Sequence, residues 1–272
     1  MSQWTNDLAI VGAGNMAEAI ARGILAARLL DAKRIVAADL SPQRRELFTQ
    51  QLGITTVQKN TSAVRGSRIV LLSVKPQQME SALGQMREAL DAGSLIVSIA
   101  AGISTAKIAR WLDGGDRHII RAMPNTPMLV GKGMVALCRG AHATAADMAT
   151  VTQLFEAAAS VVEVDESQMD AVTAVSGSGP AYVFYLAEQM IRAGVAFGLS
   201  PRQARELALR TVEGAAVMLV KSDDTPEVLR KKVTSPGGTT QAAIEHMERQ
   251  NVGPSIVDAI GAAVKRGKEL GG

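Results

Sequence analysis

Leu8-Ala9-Ile10-Val11-Gly12-Ala13-Gly14-Asn15-Met16-Ala17 fixes how the first half of this chain must fold. Its first four residues read as a short buried strand. A G-x-G-x-x-A turn follows at once, and an Ala-, Ile- and Leu-rich helix runs from there to about Ala27. Each small residue answers a steric demand. Gly12 permits the tight turn, Gly14 lets a phosphate approach the backbone, and Ala17 keeps the helix close to the strand. The helix start would offer an anion free N–H groups and a partial positive charge.

Further along, residues 34–38 read as a second strand, and Asp39 ends it at the spacing, about 20 residues past the turn, of a carboxylate that binds a ribose. Gly-rich turns end many strands for steric reasons alone. Here the strand before, the helix after and Asp39 together point to a dinucleotide. Ser41 and Pro42 open the next helix as N-cap and first helical residue. The runs 69–74 (IVLLSV) and 95–100 (LIVSIA) are apolar almost throughout, as strands buried on both faces require, and Pro76 starts a helix between them. Strands alternating with helices imply a parallel sheet with right-handed crossovers. Runs at 119–122, 134–137 and 161–164 would extend it at one edge. The expected fold is α/β: an N-terminal Rossmann-like doubly wound sheet.

Beyond residue 164 the strand signals stop. Ser200-Pro201-Arg202-Gln203 has the form of a capping box, and Leu207, Ala208, Val212, Ala215, Ala216, Leu219 and Val220 share one broad helical face behind it. Thr225-Pro226 starts another helix. The expected division is a dinucleotide-binding domain over 1–164 and an all-helical domain over 165–272, with Ala-rich apolar faces that call for at least a dimer.

Composition narrows the function classes. Hydrophobic residues are 47% of the 272, too many for a disordered chain, and aromatics only 3%, so the core rests on Ala, Val, Ile, Leu and Met. The net charge of +3 comes from basic residues scattered among nearly as many acids, which argues for small anionic ligands and against nucleic acid. The single cysteine, Cys138, excludes an intrachain disulfide and reads as a buried structural thiol. Residues 1–7 lack the pattern of a signal peptide, and no apolar run approaches the ~20 residues of a membrane span, so a cytoplasmic protein is expected. No metal is expected.

Cofactor choice stays open. Asp39 would accept hydrogen bonds from the adenosine ribose and repel a 2′-phosphate, favouring NADH. Ser41, Arg44 and Arg45 follow closely, and an arginine there either neutralises that phosphate or belongs to a solvated helix face. The segments Ser73-Val74-Lys75-Pro76 and Ala100-Ala101-Gly102 fall at the carboxyl ends of strands, where such sheets bind ligands. Lys75 reads as a positioning residue more than a base.

Three further segments complete the pattern. Arg121-Ala122-Met123-Pro124-Asn125-Thr126-Pro127 forms a rigid loop beyond a strand. Ser176-Gly177-Ser178-Gly179-Pro180-Ala181-Tyr182 is a turn into a helix. Val233-Thr234-Ser235-Pro236-Gly237-Gly238-Thr239-Thr240 links two helices and combines hydroxyls, glycine amides and a helix start, a combination suited to a carboxylate.

With the glycine turn and the S-V-K-P-Q segment, these closely resemble the Δ1-pyrroline-5-carboxylate reductase family, in order along nearly the whole chain. The T-S-P-G-G-T-T loop with Ala243, Ile244 and Glu245 is its most specific signature. The resemblance implies reduction of the cyclic imine 1-pyrroline-5-carboxylate by NADPH or NADH to L-proline, the last step of proline biosynthesis. It also implies a helical dimerisation domain, with homodimers gathered into rings. Carried over, Gly12, Ala13, Gly14, Asn15, Met16, Asp39, Ser41, Asn60, Val74, Lys75, Ala100, Ala101 and Gly102 would contact the cofactor. Ser235, Gly237, Gly238, Thr239 and Thr240 would hold the substrate, with Thr240 as the catalytic hydrogen-bond partner of its nitrogen. Two departures count: some relatives have Ser in place of Asp39, and some have Asn in place of Lys232, so neither an NADPH preference nor a nitrogen contact from position 232 carries over.

Such chemistry needs little acid–base apparatus, and His118, His142 and His246 all lie outside the five segments. A β-hydroxyacid dehydrogenase would need a lysine base on the first helices of the second domain, and residues 163–190 contain no lysine. A non-catalytic dinucleotide sensor would explain the glycine turn but not the loop at residues 234–240.

Overall fold

The computed structural model describes residues 4–271. Residues 1–3, part of the segment read as lacking a signal peptide, lie outside that range. Eight strands form one sheet: β1 (Asn6–Val11), β2 (Ile35–Ala38), β3 (Thr55–Val57), β4 (Ser67–Leu72), β5 (Leu95–Ser98), β6 (Ile119–Pro124), β7 (Gly133–Arg139) and β8 (Ala159–Glu163). Their spatial order is β3-β2-β1-β4-β5-β6-β7-β8, parallel throughout except that β7 runs antiparallel to β6. The chain winds outward from β1 in one direction, returns at β4 and continues in the other, so the switch point lies between β1 and β4. That is the doubly wound Rossmann arrangement, with the late strands added at one edge.

The helices of this unit are α1 (Asn15–Ala26), α2 (Pro42–Leu52), α3 (Asn60–Val64), α4 (Met79–Met86), α5 (Thr105–Trp111), α6 (Ala145–Glu156) and α7 (Met169–Val172). They cover both faces of the sheet, which is why its strands read as unbroken apolar runs. On one face Leu8, Ile10, Ile20, Ile24, Phe48 and Phe155 pack together. On the other, Val11, Val70, Leu72, Met79, Leu83 and Ile108 do so. The helix opened by Pro76 begins as a 3-10 turn, Pro76–Gln78, before α4 takes over.

The remaining helices are α8 (Gly179–Ala196), α9 (Pro201–Lys221), α10 (Pro226–Lys232), α11 (Thr239–Arg249) and α12 (Val252–Gly271). Ser200 and Gln203 form the expected capping box at α9, and Thr225 caps α10 through the Val228 N–H. By contacts the chain divides into two units: residues up to Ser178 together with those from Ala263 onward, and Gly179–Ala262. The second unit has little core of its own. Its buried hydrophobic residues are Ala187, Ala204 and Ala208, whereas Phe184, Tyr185, Phe197 and Val220 stand exposed.

Phe155 is fully buried among the first core cluster. Truncation to alanine leaves a ring-sized cavity under the sheet, so Phe155→Ala is expected to cost about 3–5 kcal/mol. Urea unfolding at fixed protein concentration measures it, and an unmoved midpoint would show that this face does not carry the fold.

Candidate active site

Register places the site. Val11 pairs with Ala38 on one side and Leu72 on the other, so Gly12, Asp39 and Ser73 leave the sheet side by side. Gly12 N–H donates to the Ala38 carbonyl and Ser73 N–H to the Val11 carbonyl, both at 2.8 Å. Gly12 has φ +93°, and a Cβ there would lie 2.7 Å from the Ser73 carbonyl oxygen. Only glycine satisfies both conditions. Around Gly14 the space is open, so a ligand can reach the backbone. Gly14 is also the N-cap of α1 and carries no side-chain cap, which leaves the helix start to an anion.

A cavity of about 880 Å³ opens at these strand ends, with Gly12, Gly14, Asp39, Asn60, Val74 and Lys75 among its walls. Gln58 and Lys59, in the loop after β3, and Thr61 and Gln85, on α3 and α4, line it too. Sequence reasoning missed them, because an isolated polar residue in a loop or on the polar face of a short helix carries no signal of its own. Ala13, Asn15, Met16, Ser41, Ala100, Ala101 and Gly102, also expected to touch cofactor, are not among the residues that line it. Ala13 N–H donates to Asp39 Oδ2 at 2.7 Å, and Ser41 N–H to Asp39 Oδ1 at 2.8 Å. Asp39 thus ties the glycine turn to the next loop and still has lone pairs to offer a ribose hydroxyl. Asn15 and Met16 form the first turn of α1, while Ala100, Ala101 and Gly102 follow β5.

Neither arginine after Asp39 is a free solvated cation. Arg44 Nε donates to the Ala13 carbonyl at 2.5 Å and Nη2 to Glu18 Oε2 at 2.8 Å. Arg45 Nη1 bonds the Asp39 and Leu40 carbonyls at 2.7 and 3.0 Å. Glu18, in the first turn of α1, would oppose a phosphate there. Partial burial works against its charged form, yet hydrogen bonds from Arg44 and Arg22 outweigh it and hold the carboxyl below its usual range. Its charge is met before a ligand arrives.

Two expected motifs meet within this unit. Asn125 accepts the Met134 N–H at 2.9 Å and donates to the Ser176 carbonyl at 3.3 Å. Ser176 belongs to a π-helical turn, Thr173–Gly177, of the kind that often marks functional positions.

In the second unit, the loop before α11 is held by its own backbone and by the Gln241 side chain. Gly238 N–H donates to the Ser235 carbonyl at 3.0 Å, and Gly237 N–H to Gln241 Oε1 at 2.6 Å. Gly237 has φ +72°. Gly238 is the N-cap of α11 with no side-chain cap; Thr239 is exposed and Thr240 half-buried on the first turn. Lys232 turns its ammonium to Asp224 Oδ2 at 2.5 Å, so it is engaged elsewhere.

The remaining titratable groups fit no catalytic constellation. Burial, with Glu166 nearby, pushes the Cys138 thiol up to about 12, which leaves it protonated and structural. His118 Nδ1 lies 2.7 Å from Asp147 Oδ2 at the cap of α6, and His142 faces Asp116 on the surface. Among the described residues no group of three or more His, Cys, Asp or Glu could hold a metal ion.

Comparison with known proteins agrees with this geometry. Residues 166–270 match the family model described as pyrroline-5-carboxylate reductase dimerisation, and residues 7–102 that of NADP oxidoreductase, coenzyme F420-dependent. The chain is 42% identical over 267 residues to a pyrroline-5-carboxylate reductase of Pseudomonas aeruginosa, covering 98% of this chain and 97% of that protein. It is 40% identical over 260 residues to the Arabidopsis thaliana enzyme of that name, covering 96% and 94%. A crystal structure of Plasmodium falciparum pyrroline carboxylate reductase with NADP bound superposes with a TM-score of 0.89 at 30% identity, over 100% of both chains.

If Asp39 faces the adenosine ribose, Asp39→Ser removes a negative charge that repels a 2′-phosphate. The ratio of kcat/KM for NADPH over NADH is then expected to rise about tenfold or more. An unmoved ratio would take Asp39 out of the ribose site.

Proposed function

The chain belongs to the pyrroline-5-carboxylate reductase family, and we propose from this how its own residues carry out the reaction. It is an NAD(P)H-dependent oxidoreductase that reduces the C=N bond of 1-pyrroline-5-carboxylate to give L-proline, the last step of proline biosynthesis.

The observation that carries the residue assignment is a contrast in capping. The helices α2, α5, α6, α9 and α10 are each capped by their own Ser or Thr. Of the others, α3 follows Lys59 without a side-chain cap, and α4 and α7 continue directly from 3-10 turns. In contrast, α1 and α11 begin at Gly14 and Gly238, glycines that offer no side-chain cap at the N-cap. Both of these open helix starts sit in the motifs that would meet an anion. We assign the first to the dinucleotide pyrophosphate and the second to the substrate carboxylate.

In this reading Gly12, Ala13, Gly14, Asn15 and Met16 hold the pyrophosphate, with Gly14 leaving room for it. Asp39 and Ser41 meet the adenosine ribose. Asn60, Val74, Lys75, Ala100, Ala101 and Gly102 complete the cofactor groove. When bound, the reduced nicotinamide supplies a hydride to the imine carbon. Ser235, Gly237, Gly238 and Thr239 form the seat of the carboxylate. The Gly237 and Gly238 N–H groups are spent on Gln241 Oε1 and the Ser235 carbonyl and shape the loop. The Ser235 and Thr239 hydroxyls and the start of α11 supply the donors, which fixes which face of the ring is offered. Thr240 hydrogen-bonds the ring nitrogen, which is protonated as the iminium forms and remains N–H in the product. No side-chain base is needed, in keeping with histidines that are engaged or exposed elsewhere.

The same reading takes 1–164 as the dinucleotide-binding domain and 165–272 as the helical substrate and dimerisation domain. In support, the last strand ends at Glu163 and the dimerisation model starts at 166. The assembly we propose is a homodimer through the helical domain, with dimers gathered into rings. The exposed Phe184, Tyr185, Phe197 and Val220 give it an apolar surface to bury. No helix among the described residues is long and apolar enough to cross a membrane. A cytoplasmic location belongs to the proposal and rests on the single cysteine and the composition.

Thr240→Ala tests the assignment. Losing one hydrogen bond to a charged nitrogen is expected to lower kcat/KM for the imine about ten- to a hundredfold, while the Kd for NADPH stays put. An unchanged kcat/KM would show that the hydroxyl takes no part.

A further inference from the structure

Arg121, read from the sequence as opening a loop beyond a strand, belongs instead to the strand itself, since pairing with β7 continues to Pro124. There it stands where an apolar residue belongs. It lies in the middle of β6, between Ile120 and Ala122, and is only 4% exposed. A buried guanidinium costs several kcal/mol unless its charge is met, and two carboxylates from the segment after β8 meet it. Glu166 Oε1 lies 3.8 Å from Arg121 Nη1, and Asp170 Oδ1 lies 3.9 Å from Nη2. These are charge contacts, longer than hydrogen bonds, and Nη2 has no hydrogen-bond partner at all.

The short bonds of Glu166 go elsewhere. Its two oxygens accept the Thr105 N–H at 2.7 Å and the Thr105 hydroxyl at 2.8 Å, at the start of α5. Thr105 ends the segment that begins with Ala100, Ala101 and Gly102. Gly102 itself is clamped from outside: with φ +76°, its Cβ position falls 2.9 Å from the Gly271 nitrogen and 3.0 Å from the Gly267 carbonyl oxygen, in the last turns of α12. Lys107 Nζ donates to the Gly271 carbonyl at 2.6 Å. A Cβ at Gly267 would in turn lie 3.4 Å from Asp170 Oδ1. The contacts close a ring from Arg121 through Glu166, the 102–105 segment, the end of α12 and Asp170 back to Arg121. All of it lies within the first unit.

We propose that Arg121 is a positioning residue for the dinucleotide: through Glu166 it fixes residues 100–105, the segment at the carboxyl end of β5 against which the nicotinamide half would lie. Glu166 and Asp170 stand one helical turn apart, and like charges at that spacing repel. Arg121 is the cation between them. Without it both carboxylates turn toward water, Thr105 loses its acceptor, and the loop ahead of it is held from one side only. The inference rests on the dinucleotide assignment of this unit, and it gives Arg121 a role that hydride transfer itself does not assign.

The test compares Arg121→Met, Arg121→Lys, Glu166→Gln and the double variant Arg121→Met/Glu166→Gln in the full-length protein. The readouts are kcat, KM for NADPH, KM for the imine, and NADPH affinity by fluorescence titration. Arg121→Met is expected to raise the NADPH KM and Kd about tenfold, with kcat within about threefold of wild type. Arg121→Lys, which keeps the charge, should recover most of that loss. The double variant should be no worse than Arg121→Met alone, since both act through one carboxylate. A folded Arg121→Met protein with wild-type NADPH affinity would overturn the proposal, as would strictly additive losses. Should Arg121→Met fail to fold, Thr105→Val removes only the hydroxyl bond to Glu166. It is expected to weaken NADPH binding about threefold, and an unaltered affinity would equally refute the idea. A wild-type protein that binds NADPH but leaves the imine unreduced would count against the proposed function and not against this role of Arg121.

Discussion

Three parallel strand ends held in line set the position of the candidate dinucleotide site. The ladder that pairs Val11 with Ala38 and with Leu72 puts Gly12, Asp39 and Ser73 in a row. The row is so tight that a single methyl group at Gly12 would run into the Ser73 carbonyl. Most donors that would hold the dinucleotide are backbone groups, so the site is only as well placed as the sheet beneath it. Burial of both sheet faces fixes that register, because a slip by one residue would turn each strand's side chains to the wrong layer. Asp39 then locks the glycine turn to the loop after β2 by accepting one N–H from each.

The second unit is built differently. Its helices hide three alanines and expose large apolar side chains, so its stability must come largely from whatever covers them. What it offers chemically is also backbone: a glycine-rich loop whose own hydrogen bonds shape it and leave the start of α11 open. Reduction of an iminium suits this inventory. The electrophile needs only to be held and oriented, and fixed N–H dipoles do that without reorganising during the reaction. The charged groups around the buried guanidinium, Arg121 with Glu166 and Asp170, then act on architecture and not on the reacting atoms.

Much of this is legible in the sequence. β1, β4 and β5 announce themselves because strands covered on both faces must be apolar at nearly every position, and the caps at Ser41, Ser200 and Thr225 because few side chains can satisfy a helix start. β3 and α3 leave no such mark. At three and five residues they are too short for a period to show, and β3 is partly exposed at the sheet edge. Arg44 and Arg45 stay ambiguous in the sequence because a charge does not reveal its partner; in the fold both bond carbonyls, and Arg44 also bonds Glu18. Arg121 carries a signal that spacing cannot complete. A cation in the middle of the run Ile119-Ile120-Arg121-Ala122 must find a counter-charge, but Glu166 and Asp170 lie too far along the chain for the sequence to name them.

Direct hydride transfer to an imine whose carboxylate is held in one orientation has a stereochemical signature. Reduction of 1-pyrroline-5-carboxylate with NADPH carrying deuterium at the transferable C4 position, followed by NMR of the product, reads it. The expected product is proline labelled at C5, the former imine carbon, in a single stereochemical sense and with no deuterium lost to water. Label absent from C5, or spread equally over its two faces, would refute transfer to a fixed face of the ring.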